Sequence, residues 1–225
     1  STSSNRNKMK IQKIGHSCLL VEEQGKRLLI DPGGYSFAPI GKLRLHDVGA
    51  VDCVLITHEH ADHCSLEAVQ FLYANHRAKF ASHAAVARFL EAKGIPCEIL
   101  GLGEEAEVGG FKIACVEAPH GATVLPPPPN CGFTVNGRVF HPGDSLVFKL
   151  AQPPEVLCLP IAGPWLTQKA ALDAARALTP KLVIPIHDAM IKEFSLDGLY
   201  ARSKTYLAES GIDFRPLLPG ESFEI

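Results

Sequence analysis

The sequence predicts an α/β protein built as a four-layered αββα sandwich, two mixed sheets packed face to face with helices outside. Three observations carry that expectation. The first half of the chain reads strands, helix, strand, helix, and the second half repeats this order with no visible sequence repeat. Val51–Thr57 is a continuous apolar run that stops abruptly at charged and imidazole residues, as a buried central strand does. Asn136-Gly137, set between two short apolar runs, is the signature of a type I′ hairpin.

In chain order, Ser1–Lys8 is polar and irregular, reading as disorder or a cloning remnant, with Met9 a natural start for a single domain over 9–225. Strands are expected at Ile11–Ile14, Ser17–Glu22 and Arg27–Ile30, the latter two joined by a turn around Gly25. A Gly/Pro-rich segment, Pro32–Gly41, precedes the Val51–Thr57 strand. Leu66, Val69, Leu72 and Tyr73 give helical spacing over Leu66–Asn75, with Ser65 as N-cap. Lys79–Ala81 reads as a strand, and Ala84–Ala92 as a helix capped by Ser82 and stopped at Gly94. Further strands are predicted at Cys97–Leu100, Phe111–Glu117, Gly132–Val135, Arg138–His141 and Val156–Pro160. A helix capped by Thr167 runs through Leu178, then come a strand at Lys181–Ile186, a helix over Leu196–Glu209 and a last strand at Ser222–Ile225.

Composition narrows the function. With 225 residues, 46% of them hydrophobic and 20% charged, the chain suits one folded domain and neither disorder nor coiled coil. The formal net charge of -2 gives no basic surface for nucleic acid, and no apolar run spans a bilayer. Seven cysteines without paired spacing read as reduced, mostly buried thiols of a cytoplasmic protein. The oligomeric state is not readable.

The chemistry concentrates just past the apolar strand. His58, His60, Asp62 and His63 lie within six positions, in a loop whose irregular backbone can turn all four inward. Imidazole nitrogen and carboxylate oxygen are ligands suited to zinc, and also to iron or manganese. His120, Asp144 and His187 follow three later strands, so three further strand ends can reach one rim. An aspartate after Pro-Gly is by default a turn former, and it is the company of the first motif that makes Asp144 a ligand candidate. Cys64 reads as a buried thiol, and His46, His76 and His83 as surface residues.

With its His-x-His-x-Asp-His motif at residues 58–63, the chain resembles the metallo-β-lactamase superfamily over nearly its whole length from Met9. Within it, Gly15-His16-Ser17, Leu29-Ile30-Asp31-Pro32, Ala118-Pro119-His120, His141-Pro142-Gly143-Asp144-Ser145 and Val183-Ile184-Pro185-Ile186-His187 look most like the group containing L-ascorbate-6-phosphate lactonase. The resemblance implies a dinuclear metal-dependent hydrolase. His58, His60 and His120 would hold the first metal; Asp62, His63 and His187 the second; Asp144 would bridge both. The metals would be two divalent ions, zinc first, with manganese or iron as alternatives. Two divalent ions bring about +4 and Asp62, Asp144 and a bridging hydroxide return about −3, so the site would favour a small anionic ester, lactone or phosphodiester. Asp62 could orient the hydroxide and accept its proton. His16 would stand at the pocket rim as proton donor or substrate contact. Asp31 would accept a hydrogen bond from a ligating imidazole, with an Asx turn before Pro32 as the alternative, and His141 would support the ligands or simply pack. The four prolines Pro126–Pro129 would form either a stiff wall over the cleft or a rigid surface connection. The competing functions are a superfamily nuclease and a metal- or partner-binding module that keeps the fold without hydrolysis.

Overall fold

The computed structural model describes residues 8–225. The expectation for Ser1–Lys8 therefore lies outside the described residues except at Lys8, whose ammonium is 2.9 Å from Glu224.

The first half contains β1 (Met9–Gly15), β2 (Cys18–Glu23), β3 (Lys26–Ile30), β4 (Cys53–Leu55), α1 (Leu66–Phe71), β5 (Lys79–Ser82), α2 (Ala84–Glu91) and β6 (Cys97–Ile99). The second half contains β7 (Glu105–Val108), β8 (Phe111–Glu117), β9 (Cys131–Val135), β10 (Val139–His141), β11 (Val156–Pro160), α3 (Gln168–Leu178), β12 (Leu182–Ile186), α4 (Glu193–Ala208) and β13 (Asp213–Phe214). A last strand, β14 (Ser222–Glu224), returns to the first sheet.

Among the described residues the strands form two seven-stranded sheets, ordered β14-β1-β2-β3-β4-β5-β6 and β13-β12-β11-β10-β9-β8-β7. Each is mixed in the same way. In the first, β14 to β3 pair antiparallel and β3 to β6 parallel. In the second, β7 to β10 pair antiparallel and β10 to β13 parallel. Hairpins need only two-residue turns, and both the β2–β3 and β9–β10 turns use left-handed pairs, Gln24-Gly25 and Asn136-Gly137. Parallel neighbours need crossovers, and α1, α2 and α3 lie in them.

The alternation of side chains makes three cores. Ile11, Leu19, Val21, Leu28 and Leu55 meet Phe111, Ile113, Phe133, Val156 and Ile184 between the sheets. The opposite faces pack outward: Leu20, Leu29 and Val54 against Val69, Leu72, Val86 and Leu90 of the first helical layer, and Leu157, Leu159 and Val183 against Ala171, Leu172 and Leu207 of the second. Strands buried on both faces read as unbroken apolar runs, which is why β4, β11 and β12 are conspicuous in the sequence.

Several local expectations change. The helix from Leu66 keeps α geometry only to Phe71 and widens to a π turn over Leu72–His76 before left-handed Arg77 ends it. The α2 cap is His83, whose ring accepts from the Ala85 N–H, while Ser82 stays in β5 and donates to Ile56 O. That capping role, with Nε2 bonded to Thr57 O, makes His83 half-buried rather than a surface residue. β7 and β13 were not expected; one is a largely exposed edge strand and the other has two residues, so neither carries an apolar pattern. Ser65 and Thr167 cap α1 and α3 as expected. All seven cysteines are free and buried, Cys64 among them. Among the described residues no helix is long and apolar enough to cross a membrane.

Candidate metal centre

Loops at the ends of strands from both sheets converge on one rim. Two groups of side chains meet there, His58, His60, His120 and Asp144 in one and His16, Asp62, His63 and His187 in the other, each with ligand atoms within 4.8 Å of one another. Asp144 joins the two. Its Oδ1 lies 3.0 Å from His63 Nε2. Its Oδ2 lies 3.3 Å from His187 Nε2, 3.4 Å from His120 Nε2 and 3.9 Å from His58 Nε2.

The imidazoles are aimed by what holds their far nitrogens. Nδ1 of His63 bonds Asp31 Oδ2 at 2.8 Å, that of His120 bonds Gly121 O at 2.7 Å, and that of His187 bonds Ala162 O at 2.6 Å. Nδ1 of His58 lies 3.0 Å from Thr57 Oγ1. Each of these rings therefore turns Nε2 inward, the tautomer a metal-binding histidine needs. Among the described residues, Nε2 of His63, His120 and His187 and Oδ1 of Asp144 are buried without a hydrogen-bond partner. Buried polar atoms rarely stay unpaired, and three nitrogens and a carboxylate oxygen gathered around Asp144 fit the donor chemistry of bound cations.

Electrostatics give the same account from the proton's side. Burial would raise the carboxyls of Asp62 and Asp144, yet the surrounding imidazoles hold both far below the usual carboxylate range. Burial alone would lower His63 and His187. Asp144 and Asp31 instead raise His63, and the nearby Asp144 and Asp62 carboxylates raise His187 to about 9. His58 is pushed down by burial and by its neighbour His63.

His16 differs from the other rings and from its expected place. It is buried and not at the rim, and its Nδ1 accepts from the Ala189 N–H at 3.3 Å. Its proton is then on Nε2, which donates to Asp62 Oδ2 at 3.2 Å. Burial lowers its pKa to about 4, keeping the ring neutral. His16 thus holds Asp62 in place, and its lone pair is directed away from the centre.

Asp31 lies beneath the loop, fully buried, accepting from the Thr57 N–H and Oγ1 as well as from His63. His141 touches no predicted ligand closely. Its Nε2 bonds Ser17 O at 2.9 Å and its Nδ1 accepts from the Gly143 N–H at 3.2 Å, so it fixes the turn that presents Asp144. His16, Asp31 and His187 all have left-handed backbone, at φ 49, 49 and 61. Such conformations cost energy in non-glycine residues and gather where a site demands them. In the proline segment Pro126 and Pro129 are exposed and Pro127 and Pro128 half-buried, and the preceding Val124 and Leu125 are exposed.

Two contributors were not read from the sequence. Asn130 donates through Nδ2 to Ala118 O and Pro142 O and accepts the Asp144 N–H, clamping the loops of His120 and Asp144 together. Trp165 donates Nε1–H to Asp144 Oδ2 at 3.2 Å, and its ring lies 5.7 Å from that of His120. Gly121 leaves room for it, since a Cβ there would fall 2.3 Å from the indole. The only available signal was a single tryptophan in a Gly-Pro-Trp loop just after β11.

Comparisons with known proteins bear on this arrangement. A family model described as a beta-lactamase superfamily domain matches residues 10–187. A UPF0173 metal-dependent hydrolase of Methanoregula boonei is 32% identical, covering 96% of this chain and 98% of its own. Protein Rv0786c of Mycobacterium tuberculosis is 31% identical over 95% of this chain and 98% of its own. Among solved structures, Igni18, a metallo hydrolase from Ignicoccus hospitalis, is 26% identical and superposes with a TM-score of 0.78, covering 97% of this chain and 98% of that one. The match spans the motif loop and both sheets, and on that ground the chain belongs to the metallo-β-lactamase superfamily.

Proposed function

We propose that this protein is a dinuclear metal-dependent hydrolase of a small, anionic ester, lactone or phosphodiester. The observation that carries the reading is the set of buried ligand atoms left unpaired around Asp144, where two groups of candidate ligands meet. His58, His60 and His120 would hold one cation, Asp62, His63 and His187 the other, and Asp144 both. Divalent ions bound there supply a hydroxide near neutral pH and polarise the attacked carbonyl or phosphoryl oxygen.

The protein's own residues do the remainder. Asp62 is ionised and oriented by His16, so it can align the attacking water. Asp31 fixes His63 from behind. Trp165 and Asn130 hold the Asp144 carboxylate and its backbone. The metal-dependent hydrolase of M. boonei and the metallo hydrolase of I. hospitalis support the reaction class. Zinc is the proposed ion on its ligand chemistry.

The test combines elemental analysis with turnover of bis(4-nitrophenyl) phosphate and a panel of lactones. About two zinc ions per chain are expected, together with hydrolysis that chelation abolishes and zinc restores. Asp144→Ala should lose both metal and activity, and Asp62→Asn should lose turnover by roughly 100-fold or more at reduced metal content. A fully metal-loaded protein that hydrolyses none of these probes, or a wild type that binds no divalent ion in excess, overturns the proposal.

A further inference from the structure

β1 carries a lysine where its alternation calls for an apolar side chain. Met9 and Ile11 point into the core between the sheets, and Lys13 takes the next position on that face, 1% exposed. Among the described residues no other lysine or arginine is buried. We infer that Lys13 is a positioning residue, which reaches across to the second sheet and fixes the turn that presents His187; the inference rests on the reading of His187 as a metal ligand and deepens it.

The partners of Lys13 flank that ligand on both sides. Its ammonium donates to Pro185 O at 2.8 Å, just before His187, and to both Asp188 oxygens at 3.1 Å, just after it. Three N–H groups thus meet three acceptors, and the Tyr200 hydroxyl of α4 also donates to Asp188 Oδ2, at 2.8 Å. The turn needs such holding. Among the described residues β13 pairs with β12 at Leu182 and Val183, so the last residues of β12 lack that neighbour. His187 itself is left-handed at φ 61, a conformation that persists only where the surroundings impose it.

The β1–β2 turn grips the same segment beside Lys13. His16 O accepts from the His187 N–H at 3.2 Å, and His16 Nδ1 accepts from the Ala189 N–H at 3.3 Å. Asp62, which would share the second cation with His187, comes from the first sheet and is held by His16 at 3.2 Å. Lys13 and His16 therefore set the spacing between two ligands of one cation that the two sheets contribute separately.

Stability alone gives little reason for this arrangement. A buried ion pair regains little more than the hydration it gives up, and an apolar pair of similar volume holds a core at least as well. What the ion pair adds is direction. Three acceptors must converge on one nitrogen, whereas an apolar contact would let the end of β12 slide.

Two readouts test this, one with metal and one without. In Lys13→Met, competition with a chromophoric chelator should show one of the two zinc ions bound about 10–100-fold more weakly than in wild type and the other within about threefold. Met9→Ala opens a cavity on the same face of the same strand; it should lower the melting temperature and leave both affinities unchanged. Lys13→Met/Asp188→Asn serves if the single variant does not fold, since it strands no charge and keeps an acceptor for Tyr200. In chelator-treated protein, imidazole nitrogen NMR reads the ring itself. The His187 Nδ1–H, held by Ala162 O, should exchange with water about tenfold faster in Lys13→Met than in wild type and Met9→Ala, while the His120 Nδ1–H, held by Gly121 O, keeps its rate. A wild type that takes up no zinc counts against the metal-centred reading, and the exchange arm still decides Lys13. Unchanged exchange at His187, or a zinc loss shared equally by both ions or by Met9→Ala, overturns the assignment.

Discussion

At the residue scale, the ligand atoms work because other side chains restrict them. Asp31 is the clearest case, accepting three hydrogen bonds at 2.7, 2.7 and 2.8 Å in a fully buried position. Asp31→Asn removes the charge that orients His63 and should weaken zinc binding by about 10–100-fold, read by competition with a chromophoric chelator; undiminished affinity would show that His63 needs no such support. Protons compete with metal at the same atoms. His187 is held protonated to about pH 9, and a ring must be neutral to ligate. Zinc affinity is therefore expected to rise as pH rises toward 9, by about one logarithmic unit per pH unit for each proton released. Isothermal titration in buffers of different ionisation enthalpy counts those protons, and a pH-independent affinity would contradict the assignment. Trp165, the only tryptophan, lies against Asp144 and should report zinc uptake through its emission; a spectrum unchanged across a full titration would place the indole elsewhere. The motif from His58 to His63 was legible because four metal-type side chains in six positions have no other common cause. Trp165 and Asn130 were not, because their partners are fixed by loops 12 to 21 residues away that only the tertiary fold brings together.

At the element scale, the site depends on how closely backbones pass. Gly33 has an ordinary extended conformation, yet a Cβ there would lie 1.6 Å from Asp62 O. Its neighbour Gly34 would place a Cβ at 3.4 Å from Ala61 O, within normal contact. Gly33→Ala should displace the motif loop, lowering stability by about 3 kcal/mol or more and abolishing metal uptake, whereas Gly34→Ala should melt within a few degrees of wild type. Similar melting temperatures for the two variants would refute the close approach. The strands and the two capped helices α1 and α3 were readable from apolar runs, Asn-Gly and hydroxyl caps. The end of α1 was not, since Leu66–Asn75 keeps helical spacing through the point where the turn widens. β7 escaped because an edge strand of alternating Glu has little to bury.

At the scale of the whole molecule, the two halves have the same mixed sheet order and share the core between the sheets. Every cysteine is buried, either there or beneath the first helical layer. Burial pushes the thiols of Cys53, Cys64, Cys97 and Cys158 up to about 12, which leaves little reactive thiolate near neutrality. The folded protein should leave 5,5′-dithiobis(2-nitrobenzoate) essentially unreacted for many minutes, and seven thiols should appear in guanidinium; rapid reaction of any thiol in buffer would show that the interior opens. The four-layered architecture was legible from element order alone, because two sheets with apolar faces on both sides require cover on each.

Neither half holds all the candidate ligands: His58, His60, Asp62 and His63 come from the first, His120, Asp144 and His187 from the second. A chain leaving the ribosome exposes its first four ligands while more than half its length is unmade. On the proposed ligand set the first cation would need the chain as far as Asp144 and the second as far as His187, so a full complement of metal would require both halves. A truncated product that stops short of β12 would lack His187, a ligand of the second cation, and so would differ in metal content from the intact protein.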